Sequence, residues 1–138
     1  MDELTGYKRA DGSIGFRNHL LVMPLSGCQM TIAQRIADAV DGATVFAHPH
    51  GCDFQAGDFD LFAHTLERFA LHANVGGVLF LAMGCAQGLT LHLPSKVRKS
   101  GRSVETINTQ QAGTGELVSE GTRIAGGMVA QFERQERV

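Results

Sequence analysis

Short apolar runs alternate along the chain with segments whose apolar residues recur every three to four positions. Runs of this kind are typical of strands buried on both faces of a sheet, whereas the 3.6-residue period is typical of helices with one buried face. The pattern predicts strands at residues 19–26, 43–48, 76–83 and 103–110. It predicts helices at 29–40, at 58–73, within 86–100, and along a face formed by Leu117, Ile124, Ala125, Met128 and Phe132.

This alternation of strands and helices indicates an α/β fold. Near-continuous apolar strands need helices on both faces, so we expect a three-layer α/β/α sandwich with a mainly parallel sheet, flavodoxin-like or Rossmann-like. The glycine-rich stretch "GYKRADGSIGFRN" contains Asp-Gly and predicts a polar N-terminal arm or hairpin. We expect one domain over residues 1–138, with the arm at 1–18 and the core at 19–138. Pro94 is expected to break the third helix or to lie in its first turn.

Composition excludes several classes of function. The 138 residues carry a formal net charge of −2, which provides no field for binding nucleic acid or an anionic membrane. No run of about 18 apolar residues predicts a transmembrane helix, and the polar N-terminal residues do not resemble a signal peptide. We therefore expect a cytoplasmic protein without nucleic-acid or membrane partners. Its three cysteines are an odd number, which favours free thiols or metal ligands over a disulfide framework.

All three cysteines follow predicted strands. Cys28, Cys52 and Cys85 each lie close to the carboxyl end of one strand, and each directly follows a glycine. Open α/β sheets bind ligands beyond the carboxyl ends of their strands, so this placement predicts a shared site. Three thiolates suit zinc, ferrous iron or an iron–sulfur cluster with one iron left open. The cysteine spacing matches no zinc-finger or ferredoxin signature, and packing as small buried hydrophobes is the alternative.

The segment "HPHGCD" at 48–53 adds titratable side chains to the same edge. His48 and His50 alternate along extended chain, so we expect only one of them to face the site. Asp53 is a candidate base, with capping of the following segment as the alternative. His48, His50 and Asp53 are therefore the candidate catalytic residues.

Two further segments are candidates for binding an acidic substrate. "QAGTGE" at 111–116 precedes a predicted helix, where the backbone amides of Gly113 and Thr114 would cradle a carboxylate or a phosphate. No lysine follows, so the segment is not a P-loop. Arg9 and Arg17 in the arm are suited to grip a carboxylate with paired hydrogen bonds, and solvated surface arginines are the alternative.

Four motifs, in order along the chain, resemble those of the central domain of the altronate/galactarate dehydratase family. The arm reads R-x-D-G-x-x-G-x-R-N at 9–18, and "HPHGC" at 48–52 matches an H-x-x-G-C loop. "HANV" at 72–75 resembles an H-P-N-V turn, and the Gly-Cys pair at 84–85 resembles a G-L-G-C-E loop. The resemblance covers residues 6 to about 115, which makes it more specific than any single motif. The family also includes the large subunits of sulfolactate sulfo-lyases.

The resemblance implies a metal-dependent lyase, generally an iron enzyme, that removes water or sulfite from a 2-hydroxy acid. A sugar acid of the altronate or galactarate type would yield a 2-keto-3-deoxy acid, with a Lewis acid on the leaving hydroxyl and a base for the proton next to the carboxylate. Carried over by position, the resemblance implies that the three cysteines hold iron and that His48 is base or ligand. It also implies that Arg17 and Asn18 orient the substrate carboxylate.

The chain departs from the family pattern at two positions and in length. Ala86 stands where a glutamate is expected after the third cysteine, and Ala73 stands where the proline of H-P-N-V is expected. Family large subunits are also much longer than this chain. We therefore expect an excised domain or split subunit that needs a further domain or a partner subunit for activity, and a homo-oligomer is a further candidate assembly. The alternative is a non-catalytic module that binds a small acid or a protein partner. Iron is the expected cofactor, with zinc or no metal as alternatives.

Overall fold

A four-stranded parallel sheet forms the centre of the fold, with a separate two-stranded hairpin near the N-terminus. The computed structural model describes residues 2–51, 54, 55, 57–84 and 87–138. Its elements, in chain order, are β1 (Tyr7–Lys8), β2 (Ile14–Gly15), β3 (His19–Pro24), a 3-10 turn (Gly27–Gln29), α1 (Met30–Ala39), β4 (Ala43–Val45), α2 (Asp58–Ala70), β5 (Val75–Ala82), α3 (Gln87–Lys99), β6 (Ser103–Asn108) and α4 (Thr114–Glu133).

The order of the strands creates a natural crevice at one end of the sheet. The strands lie in the order β4-β3-β5-β6, and every neighbouring pair is parallel. The chain passes from β3 to β4 on one side and then crosses back to place β5 on the other side. The carboxyl ends of β3 and β5 therefore flank the point where strand order reverses, which is where open α/β sheets bind ligands. The predicted α/β fold with a mainly parallel sheet is confirmed.

Alternate residues of the central strands belong to two separate cores. In β3, Leu20 and Val22 face one side while Leu21 and Met23 face the other, and all four are buried. Helices α1 and α4 cover the Leu20 side, and α2 and α3 cover the Leu21 side. Because both faces are covered from Leu20 to Pro24, the strand must be apolar at each of these positions. The predicted three-layer sandwich is confirmed.

The helices follow the predicted segments, with one correction in α3. Pro94 lies inside this helix and is buried, so the prediction that it breaks the helix or lies in its first turn is wrong. An interior proline removes one backbone hydrogen bond and crowds the preceding turn. Packing of Leu93 and Val97 against the sheet offsets that cost, and local sequence does not reveal this packing. None of the helices in the described ranges has both the length and the apolar composition needed to cross a membrane.

The N-terminal arm is a hairpin of β1 and β2 that docks on the turn before β5. The buried side chain of Arg9 donates from Nε to the carbonyl oxygen of Ala73 at 2.8 Å. The side-chain oxygen of Asn74 accepts hydrogen bonds from the backbone amides of Phe16 and Arg17, at 2.9 and 3.2 Å. The arm motif and the "HANV" turn are therefore two halves of one docking contact. The predicted arm or hairpin is confirmed.

Gly15 is the point of closest approach in this contact. A Cβ at this position would lie 2.0 Å from the carbonyl oxygen of Ala73, so only glycine fits without a shift of the main chain. Ala73, which stands in place of a family proline, makes the contact through its carbonyl oxygen. Proline has that oxygen as well, so the substitution leaves the docking contact intact.

Gly15→Ala should undock the hairpin, because the added methyl group would meet main-chain atoms that cannot rotate away. We expect the free energy of unfolding to fall by about 1–3 kcal/mol, the usual cost of overpacking, in urea denaturation. Gly127→Ala is the matched control, since it lies inside α4 and an added Cβ there meets nothing within 4 Å. Unchanged stability of Gly15→Ala would contradict the docking contact.

Candidate functional site

The loops that follow β3 and β4 are in direct main-chain contact. The amide of Gly27 donates to the carbonyl oxygen of His50 at 2.6 Å. A Cβ on Gly27 would stand 2.8 Å from main-chain atoms of Pro49, so the approach requires glycine. Cys28 directly follows Gly27, and Cys52 follows His50 by two positions. The contact therefore joins the segment that carries Cys28 to the segment that leads into Cys52.

Hydrogen bonds within the 3-10 turn hold Cys28 at the surface. Cys28 is the central residue of the 3-10 turn and is exposed to solvent. The hydroxyl of Ser26 accepts from the amide of Cys28 at 3.4 Å, and Oε1 of Gln29 accepts from the amide of Ser26 at 3.3 Å. This reciprocal pair is a capping box, and α1 begins directly after it at Met30.

A buried glutamine links this turn to the ends of β5 and β6. Gln29 is 1% exposed and donates from Nε2 to the hydroxyl oxygen of Thr109 at 2.6 Å. That hydroxyl donates in turn to the carbonyl oxygen of Ala82, the last residue of β5, at 3.1 Å. The turn that carries Cys28 is therefore tied to the end of the strand that leads to Cys85.

The loop after β5 has a further support from Gln110. The side-chain oxygen of Gln110 accepts from the amide of Gly84 at 3.0 Å. Gly84 directly precedes Cys85, which, like Cys52 and Asp53, lies outside the described residues. Within the described ranges no three potential ligands are grouped to hold a metal ion. The three-cysteine site and the role of Asp53 therefore stay predictions.

His48 is buried beyond the end of β4, and both of its ring nitrogens are occupied. Nε2 lies 2.7 Å from the carbonyl oxygen of Pro24, the last residue of β3, and Nδ1 accepts from the amide of His50 at 3.2 Å. A carbonyl oxygen only accepts and a backbone amide only donates, so the ring is neutral with its proton on Nε2. Burial lowers the pKa of His48 below its ordinary value, which outweighs the raising effect of the Pro24 carbonyl. Neither nitrogen is available in this arrangement to act as base or ligand.

His50 presents an accessible imidazole at the same edge. The residue is exposed, and its ring stacks on that of His48 at a centroid distance of 6.0 Å. No hydrogen bond joins its ring nitrogens to another described residue. The ring lines a cavity of about 360 Å³ together with His48, Phe54, Phe62 and Asp58, among other residues. Among the described residues nothing occupies the ring nitrogens of His50, whereas both ring nitrogens of His48 are taken.

Comparison with known proteins identifies the family. The model of the D-galactarate dehydratase/altronate hydrolase second domain matches residues 6–133. The chain belongs to this family. It is 36% identical to the altronate dehydratase of Escherichia coli over 94 residues, which are 60% of this chain and 19% of that protein. It is 31% identical to the altronate dehydratase of Bacillus subtilis over 90 residues, which are 58% of this chain and 18% of that protein.

A relative with a different name matches more of the chain. The (2R)-sulfolactate sulfo-lyase subunit beta of Chromohalobacter salexigens is 29% identical over 120 residues, which are 87% of this chain and 30% of that protein. The chain thus spans less than a third of the length of each of these relatives. By name, both kinds of relative are lyases.

The structure does not bring Arg17 and Asn18 to the edge that carries Cys28. Both residues precede β3, so the six residues of that strand separate them from its carboxyl end by roughly 20 Å, at about 3.3 Å per residue. The carbonyl oxygen of Arg17 accepts from Arg9, and the side-chain amide of Asn18 donates to Gln135. In this dehydratase-family domain, the R-N pair thus belongs to the docked arm. The role of Arg17 and Asn18 in orienting a substrate carboxylate stays a prediction.

Gly113 and Thr114 lie at the start of α4, on the outer side of β6. Gly113 is the N-cap residue, and no side chain caps the helix. A cleft of about 650 Å³ opens beside them between β6 and α4, and the carboxylate of Glu116 lines it. That carboxylate lies in the first turn of the helix, where it competes with an anionic ligand for the helix dipole. Substrate binding by Gly113 and Thr114 stays a prediction.

Sequence reasoning missed the residues that tie the loops together, which are Gln29, Thr109 and Gln110. One signal was present. The letters S-x-x-Q at 26–29 form a capping-box pattern directly before an apolar helical stripe. The partner of that glutamine is far away along the chain, and no local pattern identifies it.

The stability losses of Thr109→Val and Gln29→Leu should add up to more than the loss of the double variant. Thr109→Val alone leaves Nε2 of buried Gln29 without its partner, and we expect it to cost about 1–3 kcal/mol of unfolding free energy. In Gln29→Leu/Thr109→Val the amide nitrogen that would be left unpaired is gone, so the double variant should lose less than the sum of the two single losses. The Gln29→Leu loss includes the contact to the amide of Ser26. Chemical denaturation of both single variants and the double variant measures the coupling. Strictly additive losses would show that this hydrogen bond contributes nothing.

Proposed function

We propose that this domain supplies the cysteine ligands and a histidine base to the active site of a hydro-lyase. The enzyme would dehydrate a sugar acid of the altronate or galactarate type to a 2-keto-3-deoxy acid. Since the chain spans less than a third of its curated relatives, we propose that further domains or a partner subunit complete the site.

The proposal rests on the hydrogen bonds that join the loops after β3, β4 and β5. The turn with Cys28 contacts the segment before Cys52 through Gly27 and His50. The same turn reaches the end of β5 through Gln29 and Thr109. β4, β3 and β5 are neighbours in the sheet, so the loops that follow them share one crevice. This arrangement favours a common task for three thiols over three unrelated packing roles.

The chemistry of the donor set fits iron. Cys28 is exposed at the carboxyl edge, where a thiolate is able to reach a ligand in the crevice, and it would hold the metal together with Cys52 and Cys85. Thiolate sulfur binds ferrous iron and iron–sulfur clusters, and it also binds zinc, which is the alternative metal. When bound, iron would supply the Lewis acid that polarises the leaving hydroxyl.

We assign the base to His50. Dehydration requires a base that takes the proton next to the carboxylate while the hydroxyl on the neighbouring carbon leaves as water. The ring of His50 is accessible and has no hydrogen-bond partner on its nitrogens among the described residues, whereas both nitrogens of His48 are occupied. Asp53 is the second candidate base.

Iron content tests the ligand assignment. The chain is purified without oxygen, reconstituted with ferrous iron, and examined by elemental analysis and absorption spectroscopy. We expect Cys28→Ser, Cys52→Ser and Cys85→Ser each to lose most of the iron, because only two of the three thiolate ligands then remain. Thr31→Ala is the matched control, since this exposed residue lies in the first turn of α1 beside Cys28. Undiminished iron in the Cys52 or Cys85 variant would reject the metal role.

Activity is tested in the context of a complete enzyme. In the altronate dehydratase of Escherichia coli, the matched segment is replaced by the corresponding residues of this chain. We expect the chimera to dehydrate altronate and its His50→Ala variant to lose turnover by about 100-fold or more, the usual contribution of a general base. A chimera that folds and binds iron like its parent, yet has no activity, would contradict the proposal.

A carbon–sulfur lyase is the second candidate function. The match to the sulfolactate sulfo-lyase subunit extends over 87% of the chain, further than either match to an altronate dehydratase. The loss of sulfite and the loss of water use the same proton abstraction and differ in the leaving group. Release of sulfite from sulfolactate by a chimera built on that subunit, without dehydration of altronate, would favour this alternative.

A further inference from the structure

We propose that His48 is a positioning residue, which fixes the segment leading into Cys52 against the turn that carries Cys28. Its effect on the metal site rests on the proposed function above. Its effect on the loop stands on the contacts of the ring and is measurable without metal.

The ring of His48 spans the ends of two neighbouring strands. Through Nε2 it holds the carbonyl oxygen of Pro24 at the end of β3, and through Nδ1 it holds the amide of His50 two residues further along its own chain. The two contacts need a donor and an acceptor on opposite sides of one rigid ring. Neutral imidazole provides both at once.

Aromatic neighbours prevent the ring from turning away. Phe62, on the buried face of α2, meets the ring edge-to-face at a centroid distance of 4.9 Å. Phe46 lies on another side at 6.0 Å. His48 is only 7% exposed, so a rotation that freed one ring nitrogen would leave the Pro24 carbonyl or the His50 amide without its partner.

The peptide groups of His50 transmit this placement to the cysteine turn. The amide of His50 is held by His48, and its carbonyl oxygen accepts from Gly27 at 2.6 Å. Pro49 has no amide hydrogen, so it adds no hydrogen bond of this kind to the segment. The ring of His48 is therefore the anchor that aligns the His50 carbonyl with Gly27, directly before Cys28.

Disulfide formation between Cys28 and Cys52 tests the positioning directly. A Cys85→Ser background leaves two thiols, and mass spectrometry follows their pairing under a mild oxidant. We expect His48→Ala to slow the reaction roughly tenfold or more, because it removes both hydrogen bonds of the ring. His48→Asn should slow the reaction less than His48→Ala does, because its side-chain oxygen is able to accept from the amide two residues on, whereas the contact to Pro24 is lost. His64→Ala is the matched control, an exposed histidine on α2.

Two further readouts separate this role from that of a ligand or base. Ferrous iron binding should follow the disulfide rates, with a larger loss in His48→Ala than in His48→Asn. Equal and complete loss of iron in both variants, while the disulfide rate of His48→Asn falls less than that of His48→Ala, would make His48 a ligand and overturn the proposal. A native disulfide rate in His48→Ala would overturn it as well.

Hydrogen exchange of the His50 amide tests the anchoring by His48 independently of the proposed function, because it requires neither metal nor paired thiols. If the native chain pairs no Cys28–Cys52 disulfide, the shared thiol site fails, while the anchoring by His48 is still measured by exchange. We expect the amide to be protected in the native chain and in His48→Asn, and to exchange roughly tenfold faster in His48→Ala. Equal exchange in the native chain and His48→Ala overturns the positioning role.

Discussion

Helices cover both faces of the parallel sheet, and this constraint determines where polar chemistry is able to occur. Every residue of β5 is buried, and the alternating side chains of β3 enter two separate apolar cores. A buried polar group without a partner is costly, so the faces have no room for reactive side chains. Along the central strands β3 and β5, only the two ends remain. The amino end holds the docked hairpin, and the carboxyl end holds the three loops that carry the cysteines.

The carboxyl end is held together by polar contacts that are themselves buried. Gln29, Thr109 and His48 are all buried, and each has hydrogen bonds that reach from one strand end to another. Such contacts have strict geometry, so they fix the loops more precisely than apolar packing does. The side chains with exposed reactive atoms, Cys28 and His50, stand on this framework and need no strong contacts of their own.

Much of the architecture was predictable because it depends on local periodicity. Continuous apolar runs identified the strands of the sheet, and the position of each cysteine after a strand predicted one shared edge. The partner of Gln29 lies 80 positions away, and the sequence contains no local sign of that distance. Pro94 lies in a helix interior because tertiary packing overrides its local preference to end a helix. That packing, too, has no sign in the local sequence. The arm motif matches Arg17 to a family position, but a motif does not say at which end of the sheet a residue acts, so the role of Arg17 stays a prediction.

The motifs that carry the family resemblance therefore differ in what they do. The arm motif and the "HANV" turn meet at the amino end, where Arg9 and Gly15 pack on the carbonyl of Ala73. The first histidine of "HPHGC" likewise has its ring nitrogens on main-chain atoms. A docked arm and an anchored loop both require exact residues, because main-chain atoms cannot move to accommodate a change. A motif in this domain thus indicates either a close main-chain contact or a reactive group. The exposure of the side chain distinguishes the two, because the residues in main-chain contacts are buried and the reactive ones are exposed.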